Sequence, residues 1–249
     1  MTQPKYSILS RWINDTQSPA VLGTRLMSTV DRLKLVDPAI AHWWILDLPQ
    51  DELIPFDDVR PRIAQFVAAN VGRDDLGHPY PSYGYVSVIG GAPEASEDSL
   101  LVYLRINGGS SWGNVIDYNI GQSLRPPDYS RVTFEAYRGA LDVFAAEWPC
   151  PWLLAQGYLY DQNALGIAYQ DAWFAYLSPT LSAGLNPSTE LVVERTPGGG
   201  LILAATRELF DPANADHRRR SEILRGIMLD RVGPTYEDQT RHPARIGPY

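Results

Sequence analysis

The chain has 249 residues, 45% of them hydrophobic and 20% charged, with a formal net charge of −8. That composition belongs to a globular protein large enough to bury a core, so disorder is not its default state. The acidic balance argues against direct nucleic-acid binding, since neutralising phosphates takes a basic face. The single cysteine, Cys150, rules out an intrachain disulfide and fits a reducing compartment.

The opening MTQPKYSILSRWINDTQ lacks the basic start and apolar run of a signal peptide. No stretch approaches the roughly 18 apolar residues of a membrane span. A cytoplasmic location and no membrane partner are therefore expected. Tyr6–Trp12 reads as a first strand. Ser18-Pro19 has the cap-then-proline chemistry of a helix start, with Leu22, Leu26, Val30, Leu33 and Leu35 continuing on a helical period. Asp37-Pro38 reads as a second such start, leading through Ile40, Ala41, Trp43 and Trp44. Asp57–Val71 has the pattern of an amphipathic helix, with Val59, Ile63, Phe66, Val67 and Val71 on one side.

After the Gly-, Pro- and Asp-rich loop NVGRDDLGHPYPSYG come three expected strands, Tyr85–Ile89, Leu100–Ile106 and Val115–Ile120, the first two joined by an acidic loop over Gly90–Asp98. Arg131–Trp148 is the clearest helix, stopped by WPCPW. Strands follow at Trp152–Tyr158 and Ala172–Leu177, then a hairpin in which Leu191–Arg195 and Leu201–Ala205 flank TPGGG. Asn214–Val232 closes as a helix. The expected fold is a single α+β domain over 1–235, with a mixed, mainly antiparallel sheet, helices packed against it and room for two lobes, followed by a Pro-rich tail over 236–249.

Charge is unevenly spread along this order. From Asp37 to Asp98 eleven acids (Asp37, Asp47, Asp51, Glu52, Asp57, Asp58, Asp74, Asp75, Glu94, Glu97 and Asp98) face three bases, Arg60, Arg62 and Arg73. The rest of the chain balances at eighteen against eighteen, so the whole excess lies in one quarter of the sequence.

The residues of reactive chemistry form no pattern that would hold a metal or a cofactor. His42, His78, His217 and His242 stand singly, without the spacing of ligand pairs, and there is no CxxC. Cys150 lies between two prolines, with no group to stabilise a thiolate, and reads as a small buried hydrophobe. The runs IGGAPEAS, INGGSSWGN and TPGGGL lack the spacing of phosphate-binding loops, and Ser110 and Ser111 sit in no GxSxG elbow. Asp74, Asp75 and His78 are the best acid–base group, and a small hydrolase is the alternative they leave open. Against it, adjacent carboxylates in a loop point apart, and Arg73 beside them makes a loop clasp. No cofactor and no catalytic residue are expected.

Around GRDDLGHPYPSYGYVS, and over nearly the whole chain from about residue 6 to 232, the sequence resembles the Imm52 immunity proteins of bacterial polymorphic-toxin systems. The landmarks, in order, are Asp37-Pro38 with Trp43-Trp44, Arg73-Asp74…Gly77…Pro81…Gly84, a Gly90-Gly91 turn, Asn114-Val115, and Trp148 with Trp152. Trp173–Leu177 follows, then Gly200-Leu201-Ile202…Phe210-Asp211-Pro212…Asn214…His217. The chain departs from the family in its bare Gly-Gly and in an insertion near Asp161–Gln170. The resemblance implies an early helix ending in the aromatic pair. It also implies a non-catalytic protein that binds and neutralises a cognate toxin, a metal-dependent nuclease of the Tox-REase-5 class and restriction-endonuclease fold, often delivered by type VI secretion. Such a nuclease presents a basic groove to DNA, and an acidic inhibitor would be drawn to it. The expected partner-binding residues are Trp43, Trp44, Asp47, Asp51, Glu52, Asp57, Asp58, Asp74, Asp75, Glu94, Glu97 and Asp98, with Tyr80 and Tyr83 as further aromatic anchors. A scaffold subunit of a secretion locus is the remaining alternative.

Overall fold

The structure, a computed structural model, describes residues 4–13, 16–111, 113–121, 129–159 and 171–233. Among these the order is β1 (Pro4–Trp12), α1 (Pro19–Val36), β2 (His42–Asp47), β3 (Glu52–Pro55), α2 (Phe56–Val59), α3 (Ile63–Ala69), β4 (Tyr85–Ala92), β5 (Val102–Gly108) and β6 (Asn114–Ile120). Then come α4 (Phe134–Glu147), β7 (Trp152–Leu159), β8 (Ala172–Leu177), α5 (Pro179–Ser182), β9 (Val192–Arg195), β10 (Leu201–Ala204) and α6 (Ala215–Arg231). The class is α+β, as expected, and every strand register defined between described residues is antiparallel. No described helix is long and apolar enough to cross a membrane. The tail over 236–249, the insertion 161–170 and His242 lie outside the described residues.

The chain divides into two compact units, Ser7–Leu153 and the pair Met1–Tyr6 with Leu154–Tyr249. In the first, the strand order is β3-β2-β4-β5-β6-β1. Ser18 caps α1 by accepting from the Val21 amide, with Pro19 in the first turn. Leu22, Leu26, Val30 and Leu33 are buried, each contributing about 1.5–3 kcal/mol by leaving water. Leu35 breaks the stripe. Two residues past Leu33 it points away from the core and is 79% exposed. Thr133 caps α4 through the Ala136 amide. Phe144 of α4 meets Tyr118 of β6 edge-on at 5.4 Å between ring centres, and the Trp148 indole donates to Thr29 Oγ1 of α1 at 3.0 Å.

Three expectations in this unit are corrected. No helix starts at Asp37-Pro38. Asp37 is instead the C-cap of α1, and its carboxylate accepts from the Ala39 amide at 3.2 Å and from Arg131 at 3.0 Å. The residues His42–Asp47 then form a strand, because aromatic and branched side chains suit a pleated surface. Gly90-Gly91 is not a turn either. Both glycines lie within β4, opposite Trp44 and Trp43. A Cβ at Gly91 would come within 2.8 Å of Ile40 and 3.2 Å of the Trp43 ring, and one at Gly90 within 2.6 Å of Leu100. The bare pair thus makes room for the neighbouring side chains. The helix over Asp57–Val71 is broken in the middle: Pro61 lacks the amide to continue it, a 3-10 turn fills Arg60–Arg62, and Val71 leaves to bridge Tyr85.

The second unit carries β7-β8-β10-β9. Every residue of β8 and β10 is buried. The Trp173 indole donates to the Thr206 carbonyl at 3.0 Å and the Tyr6 hydroxyl to the Phe210 carbonyl at 2.9 Å. The TPGGG hairpin forms as expected, with Gly199 at φ 82°. Asn214 caps α6 through the amides of Asp216 and His217.

Candidate protein-docking surface

Two loops at one end of the six-stranded sheet set this surface. β2 runs toward Asp47, and β4, antiparallel to it, starts at Tyr85, with Ile45 opposite Ile89. The β2–β3 hairpin and the segment leading into β4 therefore emerge at the same end. Asn70 ties them together. Its side-chain amide donates to the Leu46 carbonyl at 3.5 Å, while its own carbonyl accepts from the Val86 amide at 3.0 Å.

The hairpin turns over Leu48–Asp51, with Asp51 in the left-handed region at φ 54°, which an aspartate tolerates better than most residues. Asp47 lies directly opposite Glu52. Like charges so placed are destabilising, and no side chain among the described residues pairs with Asp47, Asp51 or Glu52.

Residues 72–84 form a finger that is internally hydrogen-bonded nearly throughout. At its base the Gly72 amide donates to the Gly84 carbonyl and the Tyr80 amide to the Gly72 carbonyl, both at 2.7 Å. Arg73 bridges Pro79, and the Asp74 amide donates to the His78 carbonyl at 3.0 Å. The Asp74 carboxylate accepts from the Leu76 and His78 amides at 2.9 and 2.8 Å, and the Arg73 guanidinium donates to the Gly77 carbonyl at 2.8 Å. Gly84 holds φ 82°, and a Cβ there would sit 2.6 Å from the Gly108 carbonyl oxygen. The Ser111 amide and hydroxyl both donate to the Ser82 carbonyl. This hydrogen-bonded frame presents Leu76 at its tip, 80% exposed, and the tilted ring pair Tyr80 and Tyr83, 44% and 42% exposed, with ring centres 4.7 Å apart.

The fold does not gather all the acids that the sequence clusters. Asp47, Asp51, Glu52, Asp74 and Asp75 share the hairpin-and-finger end. Glu94, Glu97 and Asp98 follow β4 and so lie at the opposite end of the sheet, about 23 Å away along a strand of eight residues. Asp57 and Asp58 stand on α2. There Asp57 accepts from Arg60 Nε at 2.6 Å and lies 3.9 Å from Lys34, and Arg60 also grips Asp31. The hydrogen bond from Arg60 holds the Asp57 carboxyl below its ordinary range. Trp43 and Trp44 are core residues rather than surface anchors, 6% and 7% exposed on opposite faces of β2, and Trp43 donates its indole to the Ile40 carbonyl at 2.9 Å. Leu48 and Leu76 escaped the sequence reading, although an isolated leucine between Asp-Asp and Gly-His-Pro is itself a signal, since such a turn offers it no core.

The Asp74 carboxylate is spent on amides of its own loop, with His78 Nδ1 at 3.3 Å from its second oxygen, and Asp75 and His78 are exposed. Burial pushes the Cys150 thiol up to about 12, and its sulfur approaches the Trp148 carbonyl at 3.5 Å. His217 is buried, stacks on Phe210 and accepts from the Asp211 amide through Nδ1 at 3.0 Å. Among the described residues no group of three or more His, Cys, Asp or Glu side chains is placed to hold a metal ion.

No protein-family model matches this chain, and no curated protein matches it. Among solved structures it is similar in fold to the Pseudomonas aeruginosa T6SS protein PA0821, with a TM-score of 0.54 over 94% of this chain and 73% of that one, at 12% sequence identity.

Proposed function

We propose that this chain is an immunity-type inhibitor that binds and neutralises a cognate bacterial toxin in the cytoplasm of the producing cell. The toxin is a DNA-cutting enzyme of restriction-endonuclease fold, delivered by a type VI or related secretion system. The observation that carries this reading is the hairpin-and-finger end of the sheet, whose loops hold five acids and one arginine on a rigid frame. Tolerating Asp47 opposite Glu52 without a counter-ion costs stability, and a cationic partner is what would offset that cost. The fold likeness to the Pseudomonas aeruginosa T6SS protein PA0821, and the family landmarks in the sequence, support the same class of role.

The physics needs no reactive group on the inhibitor. A nuclease exposes a basic groove, and an acidic surface accelerates the encounter by tenfold or more at low ionic strength. This attraction is screened over about 8 Å at physiological salt, so it sets the association rate while short-range contacts set residence time. The test is co-purification with the product of the adjacent gene, followed by a DNA-degradation assay with and without this chain. A stable complex in which degradation is suppressed near one-to-one stoichiometry is the expected result. Degradation undiminished at saturating amounts of this chain would refute the reading.

A further inference from the structure

We infer that the finger is the anchor of this interface, inserting Leu76 into an apolar pocket at the rim of the partner's basic groove with Tyr80 and Tyr83 packed beside it; this rests on the inhibitor reading above. A single exposed leucine means little, as Leu35 shows: it is as exposed as Leu76, yet stands alone on the back of α1. Leu76 differs in its company and in its frame. Two half-exposed tyrosines share its finger, Leu48 is exposed on the neighbouring hairpin, and Asp74 and Asp75 immediately precede it.

The backbone beneath these groups is fixed. The amides of Asp74, Leu76, Gly77, His78 and Tyr80 all donate within the finger, and the Gly72 amide closes its base on the Gly84 carbonyl. A loop ordered before binding loses little conformational freedom on docking. Aromatic and apolar side chains on a rigid support, ringed by charge, are the arrangement of an interface hot spot. The acids select a cationic surface, and the leucine requires a pocket within it. A basic protein groove meets both demands, whereas a bare polyanion such as DNA meets neither.

The experiment measures affinity and rate constants of the purified chain for the adjacent-gene toxin, using Leu76→Ala, Leu35→Ala and Asp75→Lys. Leu76 contributes almost nothing to the core, so L76A keeps the wild-type melting temperature, which confirms that the variant is folded. L76A is expected to weaken binding at least tenfold through faster dissociation, with the salt dependence of association unchanged. L35A stays within twofold of wild type. D75K slows association and flattens its salt dependence. If wild type binds and L76A binds equally well, the anchor is wrong and the inhibitor reading survives. If wild type fails to bind, both fall. A second copy of the chain is the competing occupant: if L76A dissolves a homodimer and leaves toxin affinity intact, the inference is overturned.

Discussion

The two ends of the six-stranded sheet carry comparable acidity in very different settings. At one end Glu94 and Asp98 lie in an exposed connection between β4 and β5, beside Pro93 and Ala95, as charges do that merely solvate a loop. At the other, the acids ride on a hairpin and a finger whose amides are bonded, whose base glycine leaves no room for a side chain, and whose exposed neighbours are leucine and tyrosine. Charge alone does not distinguish the ends. Both connections are internally hydrogen-bonded; what distinguishes them is the apolar exposure of Leu48, Leu76, Tyr80 and Tyr83, and that depends on the fold.

Substitutions sharpen the contrast, beginning with the most severe. Gly84→Ala forces a side chain into the left-handed region and onto the Gly108 carbonyl. It should destabilise the first unit by about 2–4 kcal/mol, combining backbone strain with the clash, and lower its denaturant midpoint; Pro93→Ala at the far end should leave that midpoint in place. Asp74→Ala removes the acceptor for two amides of the finger and should cost about 1–2 kcal/mol. Hydrogen exchange should speed at Leu76 and His78 while the amides of β5 and β6 stay protected.

Asp57→Ala tests an acid that is already partnered. An exposed pair of this kind is worth at most about 1 kcal/mol, so stability should fall slightly and toxin binding not at all. The carboxyl's depressed pKa means that its contribution is present above the unfolded-state value and is lost as pH falls through the folded one. An acid titration of wild type against the variant should converge at low pH. Glu52→Lys is the mildest change and has the opposite sign. Placing a cation opposite Asp47 should raise stability by about 0.2–1 kcal/mol while weakening partner binding. A variant that is more stable and still binds fully would remove the reason given for leaving the acid pair unneutralised.

Much of the fold was legible in the sequence because local chemistry and tertiary structure agree there. Ser18-Pro19 and Asn214 cap helices where expected, and the TPGGG hairpin and Ala172–Leu177 fall in place. The failures have separate causes. At Asp37-Pro38 a cap-like dipeptide ends a helix instead of starting one: the Asp37 amide closes α1 on the Leu33 carbonyl, and its carboxylate takes the Ala39 amide in a turn that no helix follows. At Gly90-Gly91 the glycines serve a close approach of Ile40, Trp43 and Leu100, a need created by residues distant in the chain. The candidate site was legible in its parts, as acids and loop aromatics. Its assembly was not, because which acids share an end depends on strand register, and burial of Trp43 and Trp44 depends on what packs over both faces of β2.

The most direct test compares association rate constants with the adjacent-gene toxin for two charge-reversed chains, measured across ionic strength. One carries Asp47→Lys, Asp51→Lys and Asp75→Lys; the other carries Glu94→Lys and Asp98→Lys. The first should associate at least tenfold more slowly at low salt, with its salt dependence largely abolished, and the second should remain within about twofold of wild type. Equal losses in the two chains, or a larger loss in the second, would show that the hairpin-and-finger end is not where this protein meets its partner.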